Sequence, residues 1–205
     1  MSECTLMEVA LRGDATEARR FRQLVQTCLA TPSHGESDFG SGWLGRLVEA
    51  VGAGPATDDA GCRGRVSAVA TYGDDGVWLS LEVLCDEMDA VATLRRVLAS
   101  FPGLEMLWYA DSMGWGHHVT NDADLVICPG RFGASVTRGG EQDETFSNDR
   151  AELLEWVGRV FDVTVRDETE LDALMASLPP ESDDDVDVFE YRLVDDDGRQ
   201  IDWPA

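Results

Sequence analysis

The amino-acid sequence predicts an α+β fold, an antiparallel sheet with two helices on one face, and three observations carry that prediction. The first two thirds of the chain run in the order strand, helix, strand, strand, helix, strand. The turn Gly73-Asp74-Asp75-Gly76 joins the two middle strands as a hairpin, because Asp and Gly accept positive φ at little cost. The stretch Leu104–Asp122, LEMLWYADSMGWGHHVTND, alternates as a strand through Leu104, Met106 and Trp108, then turns where Gly114 and Gly116 flank Trp115.

Each element has a local reason. The first strand runs from about Cys4 to Leu11 and ends at Arg12-Gly13. Asp14 with Glu17 reads as a capping box, the Asp taking free amide N–H groups and the Glu reaching back to the cap. Phe21, Leu24, Val25, Cys28 and Leu29 then form one helical stripe, which Thr31-Pro32 stops. An insertion over 33–61 is rich in Gly, Ser, Asp and Pro, with a short amphipathic helix over Leu44–Val51. Strands follow at Arg65–Tyr72 and Val77–Cys85, the second with Val77, Leu79, Leu81 and Val83 toward the core. Asp86 caps a helix bearing Val91, Leu94, Val97, Leu98 and Phe101, ended by Pro102-Gly103. This is the split β-α-β order of a ferredoxin-like sandwich.

Beyond Phe132 a polar, Gly-rich linker reaches Thr145. Ser147 or Asn148 then caps a helix with Leu153, Leu154, Val157, Val160 and Phe161 inward, and a second helix spans Thr169–Leu178. After Pro179-Pro180 the run Glu181–Asp185 reads as an acidic hinge, followed by a β-hairpin whose arms, Val186–Val194 and Arg199–Trp203, meet at the turn Asp195–Gly198. The expected organisation is a ferredoxin-like domain over 1–140, a C-terminal helical extension over 141–178, and an acidic hinge and β-hairpin tail over 179–205.

Charge is the chain's most unusual property. Its formal net charge is −24, with 40 acidic residues against 16 basic ones, and every basic residue is Arg. Such a chain repels nucleic acid and anionic membranes and is drawn toward basic surfaces, including those built to hold nucleic acid. The same composition also arises in a plain scaffold domain from a halophile or a GC-rich genome. The N-terminal residues show no signal-peptide pattern and no run is long enough to span a bilayer, so a cytoplasmic protein is expected. Cys4, Cys28, Cys62, Cys85 and Cys128 are odd in number and scattered, which favours reduced thiols.

The chemistry-bearing residues point away from catalysis. His117 and His118 with Asp122 and Cys128 contain metal-ligand types, but adjacent strand residues face opposite ways, so no metal site is expected. No P-loop or G-x-G-x-x-G follows a strand, so no cofactor is expected either. Cys85 on an apolar strand face reads as a packed thiol, and no catalytic residue is assigned. Trp115, set between glycines, reads either as a lid packed down on the sheet or as an exposed anchor, and it is taken as a contact residue. The acidic loops at Asp58-Asp59, Asp74-Asp75 and Asp86–Asp89 lie at strand ends that one sheet rim can gather.

The segments GRVSAVATYGDDGVWLSLEVL, FPGLEMLWYADSMGWGHHVTND and ICPGRF carry a family likeness. Through Phe101-Pro102, Tyr109, Asp111, Gly114, Thr120-Asn121-Asp122, Pro129, Arg131 and Phe132, the chain resembles the YubB-type ferredoxin-like proteins of conjugative plasmids and phages over roughly Gly61–Phe132. Asp111-Ser112-Met113 departs from that family's acidic-acidic-Pro turn. The resemblance implies the fold and a setting in mobile elements, and it carries no activity; the paired C-terminal helices also resemble an extension of that sheet. The functional expectation is an anti-defence interaction protein that binds a basic, nucleic-acid-handling host protein without touching nucleic acid or membrane. Its expected contact residues are Asp111, Trp115, His117, Asp74, Asp75, Asp86, Asp183, Asp184 and Asp185. The rival expectation is a small-ligand or nucleotide-binding protein, possibly an enzyme, with its site at the 109–122 turn.

Overall fold

The computed structural model describes residues 4–31, 42–54, 64–84, 86–112, 116–179 and 184–204. In chain order the elements are β1 (Thr5–Gly13), α1 (Ala15–Ala30), α2 (Leu44–Ala50), β2 (Gly64–Tyr72), β3 (Gly76–Val83), α3 (Glu87–Leu98), β4 (Leu104–Ser112) and β5 (His117–Thr120). They continue with β6 (Phe132–Arg138), β7 (Glu141–Ser147), α4 (Arg150–Phe161), α5 (Glu168–Ser177), β8 (Asp185–Glu190) and β9 (Arg192–Leu193). The result is an α+β protein with a six-stranded sheet in the order β2-β3-β1-β4-β5-β9 and a three-stranded sheet in the order β7-β6-β8. The large sheet is mixed, because β9 joins β5 in parallel while the other pairings are antiparallel.

Helix starts follow their capping residues. Asp14 accepts the N–H groups of Thr16 and Glu17, both at 2.9 Å, and Asp86 accepts that of Met88 at 2.8 Å. The expected capping box closes on one side only. Glu17 turns its carboxylate to the Gly103 N–H at 2.7 Å, and the Asp14 N–H donates to the Gly103 carbonyl at 2.9 Å. This ties the head of α1 to the turn before β4. Gly13 makes the crossing possible: its φ is 132°, and a Cβ there would lie 2.1 Å from the Gly103 oxygen.

Alternation decides the large sheet's faces. Val9 and Leu11 of β1, Leu79 and Leu81 of β3, and Trp108 of β4 pack with Phe21, Leu44, Leu47, Val91 and Leu94 in one core. Trp108 is fully buried at its centre. That face therefore carries three helices, α1, α2 and α3, rather than the two expected.

The second sheet overturns the expected linker and tail. The residues read as a polar linker form the β6–β7 hairpin, turning at Gly139 and Gly140 with φ of 60° and 84°, as a two-residue turn between twisted strands requires. A boundary at 140 would cut this hairpin at its turn. α4 and α5 pack against one face of the sheet through Leu153, Leu154, Val157, Leu171 and Leu174. The tail is not a β-hairpin. β8 pairs antiparallel with β6, the chain crosses at Tyr191, and β9 pairs with β5 in the other sheet. The Asp195–Gly198 turn does form, and its return arm holds the isolated Val194–Gln200 bridge, the Asp195 N–H to Arg199 carbonyl and Ile201 N–H to Leu193 carbonyl bonds, both 2.9 Å, and the Trp203 indole N–H on the Tyr191 carbonyl at 3.0 Å, without a strand over Arg199–Trp203. Val186 buries against β6 and α4, and Phe189 against Gly133 of β6, His118 and Tyr191, which a free two-stranded hairpin does not offer.

Candidate functional site

The helix-free face of the large sheet meets the small sheet at the β4–β5 hairpin. In its register Asp111 stands opposite His118 and Tyr109 opposite Thr120, on the face away from Ala110 and Val119. β8 sends Phe189 into the same space, and the crossing supplies Tyr191. The His118 ring stacks on Phe189 at 3.5 Å between centroids and 8° between planes. Tyr191 stands edge-on to both rings and to Tyr109. Only glycine fits beneath Phe189: a Cβ at Gly133 would lie 2.3 Å from the Phe189 Cζ.

Polar groups line this interface. Asp111 Oδ1 lies 2.9 Å from His118 Nδ1, an ion-pair distance without hydrogen-bond alignment, and Oδ2 accepts the Tyr191 hydroxyl at 3.2 Å. Burial raises the Tyr191 hydroxyl, with the charge of Asp111 adding to it. Burial, then Glu8, pushes Tyr109 up to about 12, and burial likewise pushes Cys128 up to about 12. Glu144 of β7 is also raised, first by burial and then by Asp111, with His118 opposing. His118 Nε2 is buried with no hydrogen-bond partner among the described residues, and Phe189 covers its ring. His118 is thus enclosed while the Asp111 side chain keeps 16% exposure, and the pair lies where the two sheets meet.

The Thr120-Asn121-Asp122 run is spent on architecture. Thr120 Oγ1 donates to the Trp108 carbonyl at 2.8 Å, and Asn121 bonds both the Trp108 N–H at 2.7 Å and the Met106 carbonyl at 2.9 Å. Asp122 Oδ2 accepts the N–H groups of Ile127 and Cys128 at 2.6 and 2.9 Å. Among the described residues no group of three or more His, Cys, Asp or Glu is arranged to hold a metal.

The expected contact residues do not converge. Asp74 and Asp75 are exposed in the β2–β3 turn, Asp75 lying 3.7 Å from Arg19, while Asp86 caps α3 at the other end of β3. Eight strand residues separate those ends by about 26 Å, so the expected single acidic rim does not form across them. His117 is exposed and alternates to the face opposite Asp111 and His118. Asp184 accepts the Gly139 N–H at 2.8 Å, and Asp185 is exposed at the head of β8. Trp115, Asp183, Asp58, Asp59 and Cys85 lie outside the described residues.

An acidic face that the sequence reading missed lies on β7 and α4. Glu141 and Asp143 are exposed on β7, on the face where Val136 packs against α4, and Glu152 and Glu155 are exposed on α4; Glu144 is exposed on the opposite face of β7, toward Asp111 and His118. None of the five has an ion-pair partner among the described residues; Glu152 accepts the Ser147 hydroxyl. The signal was the Gly139-Gly140 pair between two seven-residue runs, which marks a two-residue hairpin. Comparisons with protein-family models, curated proteins and solved structures find no match to this chain.

Proposed function

We propose that this chain is an interaction protein that presents acidic surface to a basic, nucleic-acid-handling protein. The observation that carries the reading is the face formed by β7 and α4, where exposed Glu141, Asp143, Glu152 and Glu155 stand without an ion-pair partner among the described residues. Other exposed carboxylates are paired with arginines, as in Arg12–Glu105, Arg65–Glu82 and Arg131–Glu190. An unbalanced acidic face steers a basic partner and competes with the phosphates that partner normally holds. The setting proposed is a mobile genetic element, with a host defence component as the partner, met in the cytoplasm. That setting rests on the YubB-type resemblance. The antiparallel order β2-β3-β1-β4, with α1 and α3 on one face, supports reading those elements as a ferredoxin-like sandwich extended by β5 and β9. Among the described residues no helix is long and apolar enough to cross a membrane. The rival ligand site at 109–122 is less favoured because Asp111, Thr120 and Asp122 already bond within the protein.

The test is a competition. Purified nucleases of host defence systems, bound to labelled duplex DNA, are titrated with the chain at low and at physiological salt. Displacement of DNA that weakens as salt rises supports the proposal. Failure to displace DNA from any of them, at either salt, leaves the acidic composition as a property of a plain scaffold domain.

A further inference from the structure

We propose that the outer edge of β7 and the flank of α4 form a docking groove for an extended, arginine-bearing protein segment, added as a fourth strand to the small sheet. This deepens the acidic-interaction reading by naming the surface and the shape of what it holds. β7 is the terminal strand in the order β7-β6-β8, and no described residue pairs with its outer side. The register fixes which groups that side presents. With Gly139 and Gly140 as a two-residue turn, Arg138 and Glu141 exchange hydrogen bonds, and so does every second pair after them. The amides of Gln142, Glu144 and Phe146 therefore point away from β6.

Beside this edge runs a groove of about 300 Å³ between Thr145–Ser147 and one flank of α4. Glu152, Glu155, Trp156 and Arg159 recur there at helical spacing, and Leu153 and Trp156 give the groove an apolar floor. An open strand edge beside a helix is the arrangement in which an added strand gains main-chain hydrogen bonds while alternate side chains enter the groove. Charge selects the occupant. Glu152 and Glu155 line the groove beside Arg159, its basic residue, and Glu141 and Asp143 lie on the same face of the strand, the face on which Val136 packs against α4. A second copy would bring its own acidic β7 against this one, so like charges disfavour self-pairing, whereas an added strand with arginines on the α4 face meets Glu141, Asp143, Glu152 and Glu155 there while its alternate aliphatic side chains lie on the face of Phe146.

The probe is a synthetic peptide of alternating arginine and valine, with a serine–valine peptide as its uncharged counterpart. Residue-resolved amide exchange on the full chain reads the result. Expected on adding the arginine peptide is exchange slowed about tenfold or more at Gln142, Glu144 and Phe146, with Glu141, Asp143 and Thr145 unchanged because β6 already holds them. Glu144→Pro removes an outward amide without breaking the β6 ladder and should weaken binding about tenfold. Glu155→Arg, an exposed change that spares the strand, should weaken the arginine peptide and not the serine one. Binding that protects amides elsewhere, or that survives both variants, overturns the docking proposal and leaves the acidic reading standing. Equal binding of the two peptides overturns the charge selection on which both rest. No binding of either peptide, or outward amides already protected in a dimer of the free chain, overturns the docking proposal alone.

Discussion

Phe189→Ala tests whether the two sheets share one core. The side chain is 7% exposed, stacks on His118 and lies edge-on to Phe146 and Tyr191. Truncating a buried Phe to Ala typically costs about 3–5 kcal/mol, the upper values arising where the cavity cannot collapse. The floor here is the Gly133 backbone, which offers no side chain to fill the gap. Opposing this, the vacated space lets water reach His118 Nε2, which has no partner among the described residues. The two effects place the expected loss near the lower end, about 3 kcal/mol. For a chain of this size that lowers the melting temperature by about 6–12 °C. Urea unfolding followed by near-ultraviolet circular dichroism measures it, with Phe21→Ala, in the helix-side core, as reference. A loss under about 1 kcal/mol refutes the reasoning, because a surface position would behave that way.

Three further outcomes follow from the same geometry. Deleting 185–205 should abolish cooperative melting, since it removes β8, β9 and fully buried Tyr191 together; a truncated chain that melts like the intact one would show that the small sheet is dispensable. The raised pKa of Glu144 means the folded state holds its proton more tightly, so its contribution is present in acid and lost as pH rises through the raised value. Glu144→Gln should therefore stabilise the chain at neutral pH and leave its melting unchanged below the ordinary carboxylate range; a pH-independent difference would contradict this. Cys128, pushed up to about 12 and buried, should be the last of Cys4, Cys28 and Cys128 to be alkylated in the native protein, as mass mapping of labelled peptides can read.

The large sheet was legible because its signals are local. The alternation through Val77–Val83 and the caps at Asp14 and Asp86 fix β3, α1 and α3 without long-range information. The pairing of Asp111 with His118 was also within reach, since both lie at matching distances from the turn that joins β4 to β5. β7 failed for a physical reason: it is an edge strand, so Glu141–Ser147 carries little apolar content and resembles a linker by composition. The β5–β9 pairing is harder still. It joins Val119 to Arg192 in parallel, and only the crossing at Tyr191 between two sheets brings them together.

That crossing explains how the acidic edge stays available. β8 covers one side of β6 and is followed at once by Tyr191, whose N–H donates to the Arg131 carbonyl at 2.9 Å while its hydroxyl reaches Asp111. One end of the small sheet is thus fixed to the large one, and β7 is left at the free edge. An open edge ordinarily invites pairing with another copy, and carboxylates along it are a common defence. Glu141, Asp143 and Glu144 supply that defence. The same charges set the condition for pairing: a strand that joins this edge must bring positive charge, so protection against self-association and selection of a basic partner follow from one set of residues.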